Sequence, residues 1–206
     1  MNLLEAYNAA FDSSGEHLRD EASGVDLYVR TEEGHTTVVA WGSCEPADWR
    51  TNFRFLLRRW SRHPLAREDS AVRVHRGYMD AYMRLRESLL DQLPMIGTIL
   101  ITGYSMGGGL AEIIALDLSV QRPLAQVSCA NFSGARVWNR AGAESFARRV
   151  PDAVFVKYGN DIVTKVPPFY RHGATKKHLG PAEHWWKASV RDHIIMQDPG
   201  VISGLL

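Results

Sequence analysis

Apolar residues follow two rhythms along this chain, every second position in some stretches and every third or fourth in others. Residues 2 to 12 have helical spacing. Val25-Asp26-Leu27-Tyr28-Val29-Arg30 alternates as a half-buried strand does, and after a turn at Glu33-Gly34 a more apolar strand runs through Thr36-Thr37-Val38-Val39-Ala40-Trp41. The two make an antiparallel hairpin leading into Gly42-Ser43. Trp49, Phe53, Leu56, Leu57 and Trp60 then repeat at helical intervals while Arg50, Arg54, Arg58 and Arg62 recur every four, which predicts an amphipathic helix over 49–60 with an aromatic face and a basic face. Ser70 to Val74 reads as a short strand, and Gly77 to Leu93 as a helix ending at Pro94.

From Met95 to Thr102 the chain is apolar and β-branched; it breaks at Gly103-Tyr104-Ser105-Met106-Gly107, then resumes with Leu110, Ile113, Ile114 and Leu118 at helical spacing. Val127 to Phe132 is another buried strand, Asn139 caps a helix to Val150, and Ala153 to Tyr158 is a further strand. Strands alternating with helices predict an α/β fold: one domain over 1–206, with a mostly parallel central sheet, helices on both faces and the antiparallel hairpin at its N-terminal end. Ligands collect at the carboxyl ends of the strands in such sheets. The strand ends at Ser43, Ser105 and Tyr158-Gly159-Asn160-Asp161 are therefore expected to share one edge.

Composition narrows the classes. With 206 residues, 45% hydrophobic and 23% charged, the chain has enough apolar surface for one good core. No stretch has the uninterrupted apolar length of a transmembrane helix, and Met1 to Tyr7 lacks a basic start and a long apolar run. The expectation is a chain without a transmembrane segment, cytoplasmic or released without a visible signal peptide. Two cysteines, Cys44 and Cys129, are too few for a disulfide framework, and no Cys/His spacing suits a metal site, so neither metal nor cofactor is expected. Cys129 reads as a small buried hydrophobe. The net charge of +1 hides a gradient: residues 1–49 hold ten acids and two bases, and residues 50–86 hold ten arginines and three acids. That basic block would suit anionic headgroups or an acidic substrate; a solvated arginine face explains it equally well. Nothing in it calls for nucleic acid.

The break at 103–107 is the chemically informative stretch. A serine hydroxyl attacks a carbonyl only if a base takes its proton, and it must stand clear of the backbone to meet base and substrate together. Gly-x-Ser-x-Gly between a strand and a helix does this, because the two glycines leave room in a turn where a Cβ would clash. Ser105 is the candidate nucleophile. The helix behind it begins with free N–H groups, and that of Met106 is placed to hold an oxyanion. A second donor is expected at Ser43, where a strand ends in a small hydroxyl residue.

A serine nucleophile needs a histidine, and the histidine needs an acid to hold its tautomer. With the serine on such an elbow, the chain order is Ser, acid, His. Asp161 directly follows a strand in a Gly159-Asn160-Asp161 loop and is the preferred acid. Asp152 would lie at the opposite edge, and Asp192 beside a histidine would face away from it. Of eight histidines, His172, His178, His184 and His193 lie downstream of Asp161. His193 opens the last apolar segment, on a loop before an element that would anchor it, and is the expected base; the other three read as solvated or as fixing loops. Trp185 and Trp186 are candidates to line an acyl pocket, with packing under the last loop the preferred reading.

Taken together these segments resemble the class 3 lipase family, the fungal triacylglycerol lipase-like α/β-hydrolases. Val38-Val39-Ala40-Trp41-Gly42-Ser43 looks like the family's oxyanion strand, Val74-His75-Arg76-Gly77-Tyr78 like its strand-to-helix segment, and Gly103 to Gly108 like its elbow. Phe132-Ser133-Gly134-Ala135-Arg136-Val137-Trp138-Asn139 is similar to the segment written F-G-x-P-R-V-G-N, with Ala135 for the proline and Trp138 for a glycine. Tyr158 to Val163 with Pro167-Pro168 resembles the acid loop, and Asp192-His193 the base segment. Trp41-Gly42-Ser43 stands where the family usually carries Phe-Arg-Gly-Thr or Phe-Arg-Gly-Ser. The resemblance, to a compact bacterial or phage-type member, implies an α/β-hydrolase fold with Ser105, Asp161 and His193 as triad and Ser43 with the Met106 N–H as oxyanion hole. It further implies a lid over 44–62 that carries Trp49, Phe53, Leu56, Leu57 and Trp60.

The expected function is a serine carboxyl-ester hydrolase, lipase or esterase, acting on acyl esters or lipids with transient contact to a lipid surface. The alternatives are a phospholipase or thioesterase on an anionic substrate, and a catalytically silent lipid-binding module on the same scaffold.

Overall fold

In a computed structural model of the chain, the structure describes residues 1–42, 57–59 (backbone only), 70–181, 184 and 186–206. Strand β1 (Glu16–Asp20) pairs antiparallel with β2 (Val25–Glu32), and β2 with β3 (His35–Trp41) through a turn at Glu33 and Gly34, both at positive φ. Two short strands, β4 (Leu57–Arg59) and β5 (Arg73–His75), pair antiparallel apart from the main sheet. The sheet becomes parallel from β3 onward, through β6 (Ile96–Tyr104), β7 (Leu124–Phe132), β8 (Ala153–Tyr158) and β9 (Thr175–Leu179). Among the described residues its order is β1-β2-β3-β6-β7-β8-β9.

Among the described residues, six helices accompany these strands: α1 (Leu3–Ala10), α2 (Arg76–Gln92), α3 (Met106–Gln121), α4 (Arg140–Arg149), α5 (Val190–Ile195) and α6 (Pro199–Ile202), with a 3₁₀ turn at Val163–Lys165. The period of two along each strand sends alternate side chains to two separate cores. Ile99, Ile101, Val127 and Cys129 pack against α2 and α3, whereas Tyr104, Ala130, Phe132 and Val156 pack against Ala6, Tyr7, Met196 and Ile202. Both faces are thus covered, as a parallel sheet requires. Leu110 through Leu118 of α3 are buried without interruption.

Sequence and structure part company in three places. The expected helix over 49–60 lies outside the described residues except for Leu57–Arg59, and those three form β4, in register with His75, Val74 and Arg73. Ladder hydrogen bonds to β5 override the helical spacing there, so a helix reaching Trp60 is corrected. Strands β1 and β9 carry few apolar residues and so leave no strand pattern in the sequence; both are edges of the sheet among the described residues, where polar and Lys-rich strands are expected. The arginines described between 70 and 86 are mostly tied to carboxylates: Arg76 to Asp80 at 3.3 Å, Arg84 to Asp20 at 2.7 Å and Arg86 to the fully buried Asp117 at 2.6 Å. Of these, Arg86 ties α2 to α3 and Arg84 ties α2 to β1, while the Arg76 pair stays within α2.

Candidate functional site

Ser105 stands between β6 and α3 with φ 56° and ψ −120°, a conformation that L-residues rarely adopt. Neighbouring atoms over-determine it. The Ser105 N–H donates to the Phe132 carbonyl at 2.9 Å, and the Ser105 carbonyl accepts from Gly108 N–H at 3.1 Å. The glycines are required by contact: a Cβ on Gly107 would lie 1.8 Å from the Ala40 carbonyl oxygen, and one on Gly103 would lie 2.6 Å from the same atom. The elbow is therefore pressed directly onto β3.

The acid comes from the loop after β8. Asp161 is fully buried; its Oδ1 accepts the Val163 N–H at 2.8 Å, and its carbonyl accepts the Thr164 hydroxyl at 2.8 Å. His193 lies in α5, whose N-cap Ser189 bridges back to Asp161 and whose N–H donates to the Asn160 carbonyl at 2.9 Å. Asp161 Oδ2 is 2.9 Å from His193 Nδ1, and His193 Nε2 is 3.0 Å from Ser105 Oγ. The shared hydrogen bonds assign the tautomer: Nδ1 carries the proton toward the carboxylate and Nε2 accepts from the hydroxyl.

The three expected triad residues are thus joined in one buried hydrogen-bonded chain. Met106 begins α3 beside them, and its side chain lies so close to Gly42 that a Cβ there would come within 2.7 Å of its terminal methyl. The end of β3 and the start of the elbow helix therefore meet. Ser43 itself lies outside the described residues, as do 44–56 and 60–62 of the expected lid, with Trp49, Phe53, Leu56 and Trp60; of Leu57 only the backbone is described.

Several expectations on neighbouring residues are refined. His193 sits within a short helix rather than on a loop before one. Asp192 faces away from the imidazole as expected, and its carboxylate accepts the Asn160 N–H at 2.6 Å, which ties α5 to the acid loop. Asp152 ion-pairs with the N-terminal amine at 3.4 Å, at the other end of β8. The His172 ring fixes a loop by donating to the Thr164 carbonyl, His184 does so by donating its backbone N–H to Asn160 Oδ1, and His178 belongs to β9. Trp186 is 64% exposed rather than packed under the last loop, and Trp185 lies outside the described residues. Cys129 is buried, and burial followed by the nearby Glu112 raises its thiol pKa well above the ordinary value, as suits an inert core residue.

Two features had no clear signal in the sequence. Glu112 on α3 is fully buried and accepts from Asn131 Nδ2 at 2.7 Å, Trp138 Nε1 at 2.9 Å and the Gly173 N–H at 2.9 Å. A buried carboxylate so supplied pins the elbow helix to β7 and to the segment before α4. Trp138, the departure from the family's glycine, supplies one of those donors. Tyr104, the residue before the elbow serine, lies against His193. Its hydroxyl donates to the His193 carbonyl at 2.8 Å, and its ring stacks on the imidazole.

An open depression of about 600 Å³ lined by Arg30, Glu32, Glu33, His35 and Thr37 lies at the turn end of the β2–β3 hairpin, the opposite end of β3 from the elbow.

A family model described as Lipase (class 3) matches residues 37–171. No curated protein matches the sequence. Among solved structures, a triacylglyceride lipase of Rhizomucor miehei aligns with a TM-score of 0.74 at 18% identity, covering 93% of this chain and 92% of that one. Lipase II from Rhizopus niveus aligns with a TM-score of 0.67 at 20% identity over 80% of this chain and 65% of its own. A mutant form of MDLA from Penicillium cyclopium gives 0.68 at 17% identity, over 85% of this chain and 66% of its own. The chain thus spans about two thirds of the length of the latter two, and at these identities the likeness is one of fold.

Proposed function

The chain belongs to the class 3 lipase family, and from that premise we propose that it is a serine carboxyl-ester hydrolase, a lipase or esterase using Ser105, His193 and Asp161. The observation that carries the proposal is the buried chain from Asp161 Oδ2 through both imidazole nitrogens to Ser105 Oγ, at 2.9 and 3.0 Å, on a strained elbow. A binding module has no need for such a chain or for the strained serine that ends it.

In the proposed reaction, the Ser105 oxygen attacks the ester carbonyl carbon as its proton passes to His193 Nε2. Asp161 balances the imidazolium through Nδ1–H. The negative oxygen of the tetrahedral intermediate is held by the Met106 N–H, aided by the positive end of α3, and by Ser43 as the family resemblance implies. Collapse breaks the bond to the alcohol oxygen, which takes the proton from Nε2 and leaves an acyl-Ser105. Water then attacks the acyl carbon with Nε2 as base, and the carboxylic acid departs with Ser105 restored. The segment 44–62 is proposed to cover the site in water and to open at a lipid surface. The ion pairs that engage Arg76, Arg84 and Arg86 leave those arginines poorly placed to select a phosphate-bearing substrate.

Initial rates on p-nitrophenyl esters of short and long chains, below and above the substrate's solubility limit, test the proposal. Ser105→Ala should lower kcat by about 10⁴-fold or more while keeping the wild-type thermal midpoint. A rate jump at the interface supports the lid; activity confined to soluble short esters makes the protein an esterase without one. Ester hydrolysis that is unaffected by Ser105→Ala refutes the assignment.

A further inference from the structure

Tyr104 closes β6, and the alternation of that strand turns its side chain away from α2 and α3 toward the face where α1 and α5 lie. There it is 7% exposed and meets His193 twice. Its ring centroid is 4.8 Å from that of the imidazole with the planes 23° apart, and its hydroxyl donates to the His193 carbonyl oxygen at 2.8 Å. Phe11 lies behind the phenol ring at 5.4 Å. We infer that Tyr104 is the positioning residue of the base, the part that sets His193 at its distance from Ser105; the inference rests on the proposed hydrolase reading.

Tyr104 and Ser105 are consecutive residues, so a single planar peptide unit separates the group that holds the base from the group the base must serve. The spacing between Ser105 Oγ and His193 Nε2 is then set locally, and a small shift of α5 against the sheet carries through Tyr104 to both sides. Face-on contact also blocks rotation of the imidazole about its bond to Cβ. That keeps Nε2 on Ser105 and Nδ1 on Asp161 at once.

The contact strengthens as the reaction proceeds. The π face is electron-rich, and it meets a neutral imidazole in the resting enzyme but an imidazolium in the transition state. An interaction stronger in the transition state raises kcat rather than lowering KM. The hydroxyl bond has a separate role: the His193 carbonyl accepts the Met196 N–H at 3.3 Å at the C-cap of α5, and Tyr104 adds a second donor there from the elbow itself.

Tyr7 provides the control. Its hydroxyl donates to the Met196 carbonyl at 2.9 Å, three residues beyond the base, while its ring packs on Phe11 and Phe132. It secures the same end of the chain without holding the imidazole.

The test compares steady-state hydrolysis of one soluble ester by Tyr104→Phe, Tyr104→Leu and Tyr7→Phe, each in the wild type and the two Tyr104 variants also in a His193→Ala background. Tyr104→Phe should lose about tenfold in kcat and Tyr104→Leu about 100-fold, with KM changed by less than about twofold. Tyr7→Phe should lower the thermal midpoint and leave kcat within about twofold. With His193 already replaced by alanine, Tyr104→Leu should cost nothing further, since a positioning residue acts only through the group it positions. Wild-type kcat in Tyr104→Leu, or an equal loss with and without His193, overturns the inference. Should Tyr104→Leu fail to fold, Tyr104→Phe, which keeps the ring, decides alone: wild-type kcat and a loss undiminished in the His193→Ala background each count against the inference. If Ser105→Ala hydrolyses the ester as the wild type does, the hydrolase reading fails first, an outcome distinguishable from a Ser105-dependent rate that ignores Tyr104.

Discussion

At φ 56° and ψ −120°, Ser105 occupies a conformation whose cost is about 1–3 kcal/mol, met by the surrounding contacts of β3, β7 and α3. The gain is a hydroxyl that points at His193 instead of capping its own helix; its side chain makes no cap hydrogen bond. Asp161 is the complementary case, a carboxylate with Oδ1 satisfied by the Val163 N–H and Oδ2 free for the imidazole. Asp161→Asn keeps that shape but offers an amide N–H where Nδ1–H must donate, which favours the wrong tautomer. It should lower kcat by about 10³–10⁴-fold with the thermal midpoint little changed, measured side by side with the wild type on the same ester. A loss under about tenfold would point to another acid. Ser105 and Asp161 were both legible in the sequence because local context marks them, the first by its glycines and the second by the strand it follows.

Elements explain how the site is kept in place. The elbow helix α3 is sandwiched between β3, β6, β7 and α2, and its approach to β3 is as close as two backbones allow. Gly107→Ala places a Cβ 1.8 Å from the Ala40 oxygen and 2.7 Å from its carbonyl carbon, so the backbone itself must move. The variant should lose about 3 kcal/mol of stability or more, read from urea unfolding, and activity should fall with it. Retention of the wild-type midpoint would mean that the elbow stands farther from β3 than described. Helix α5 is held differently, by Tyr104 and by the Asp192 carboxylate on the acid loop, while Tyr7 secures Met196 just beyond it. Burial and the nearby Asp198 push the Tyr7 phenol up to about 12, so it remains a donor across the working range of pH. Helical periodicity could not reveal any of these ties. It reports which face of an element is apolar, and each tie is a polar contact between elements far apart in the chain.

For the molecule as a whole, pH bears on stability through His75, which is buried between the Tyr78 and Tyr170 rings. Burial lowers its pKa from 6.5 to about 4. Above pH 6.5 the ring is neutral whether the chain is folded or not; between 6.5 and 4 the unfolded chain binds a proton that the folded chain refuses. Stability therefore falls as the pH falls through that window, by about 2 kcal/mol between pH 7.5 and 5 from this residue. Urea unfolding at both values should show the loss, and His75→Phe should remove that share of it; an unchanged loss in the variant would assign it to other groups. The alternation of strands and helices, the Gly-x-Ser-x-Gly elbow, and the placing of Asp161 just after a strand were readable from the sequence alone, since each is written in residues that are neighbours in the chain and obey local geometry. Only the tertiary structure decided that Glu112 receives Trp138 from 26 residues away and Gly173 from 61, or that Tyr104 lies on a histidine 89 residues downstream. Such partners depend on which strands lie side by side and on the face each side chain takes, and no short window of sequence contains that information.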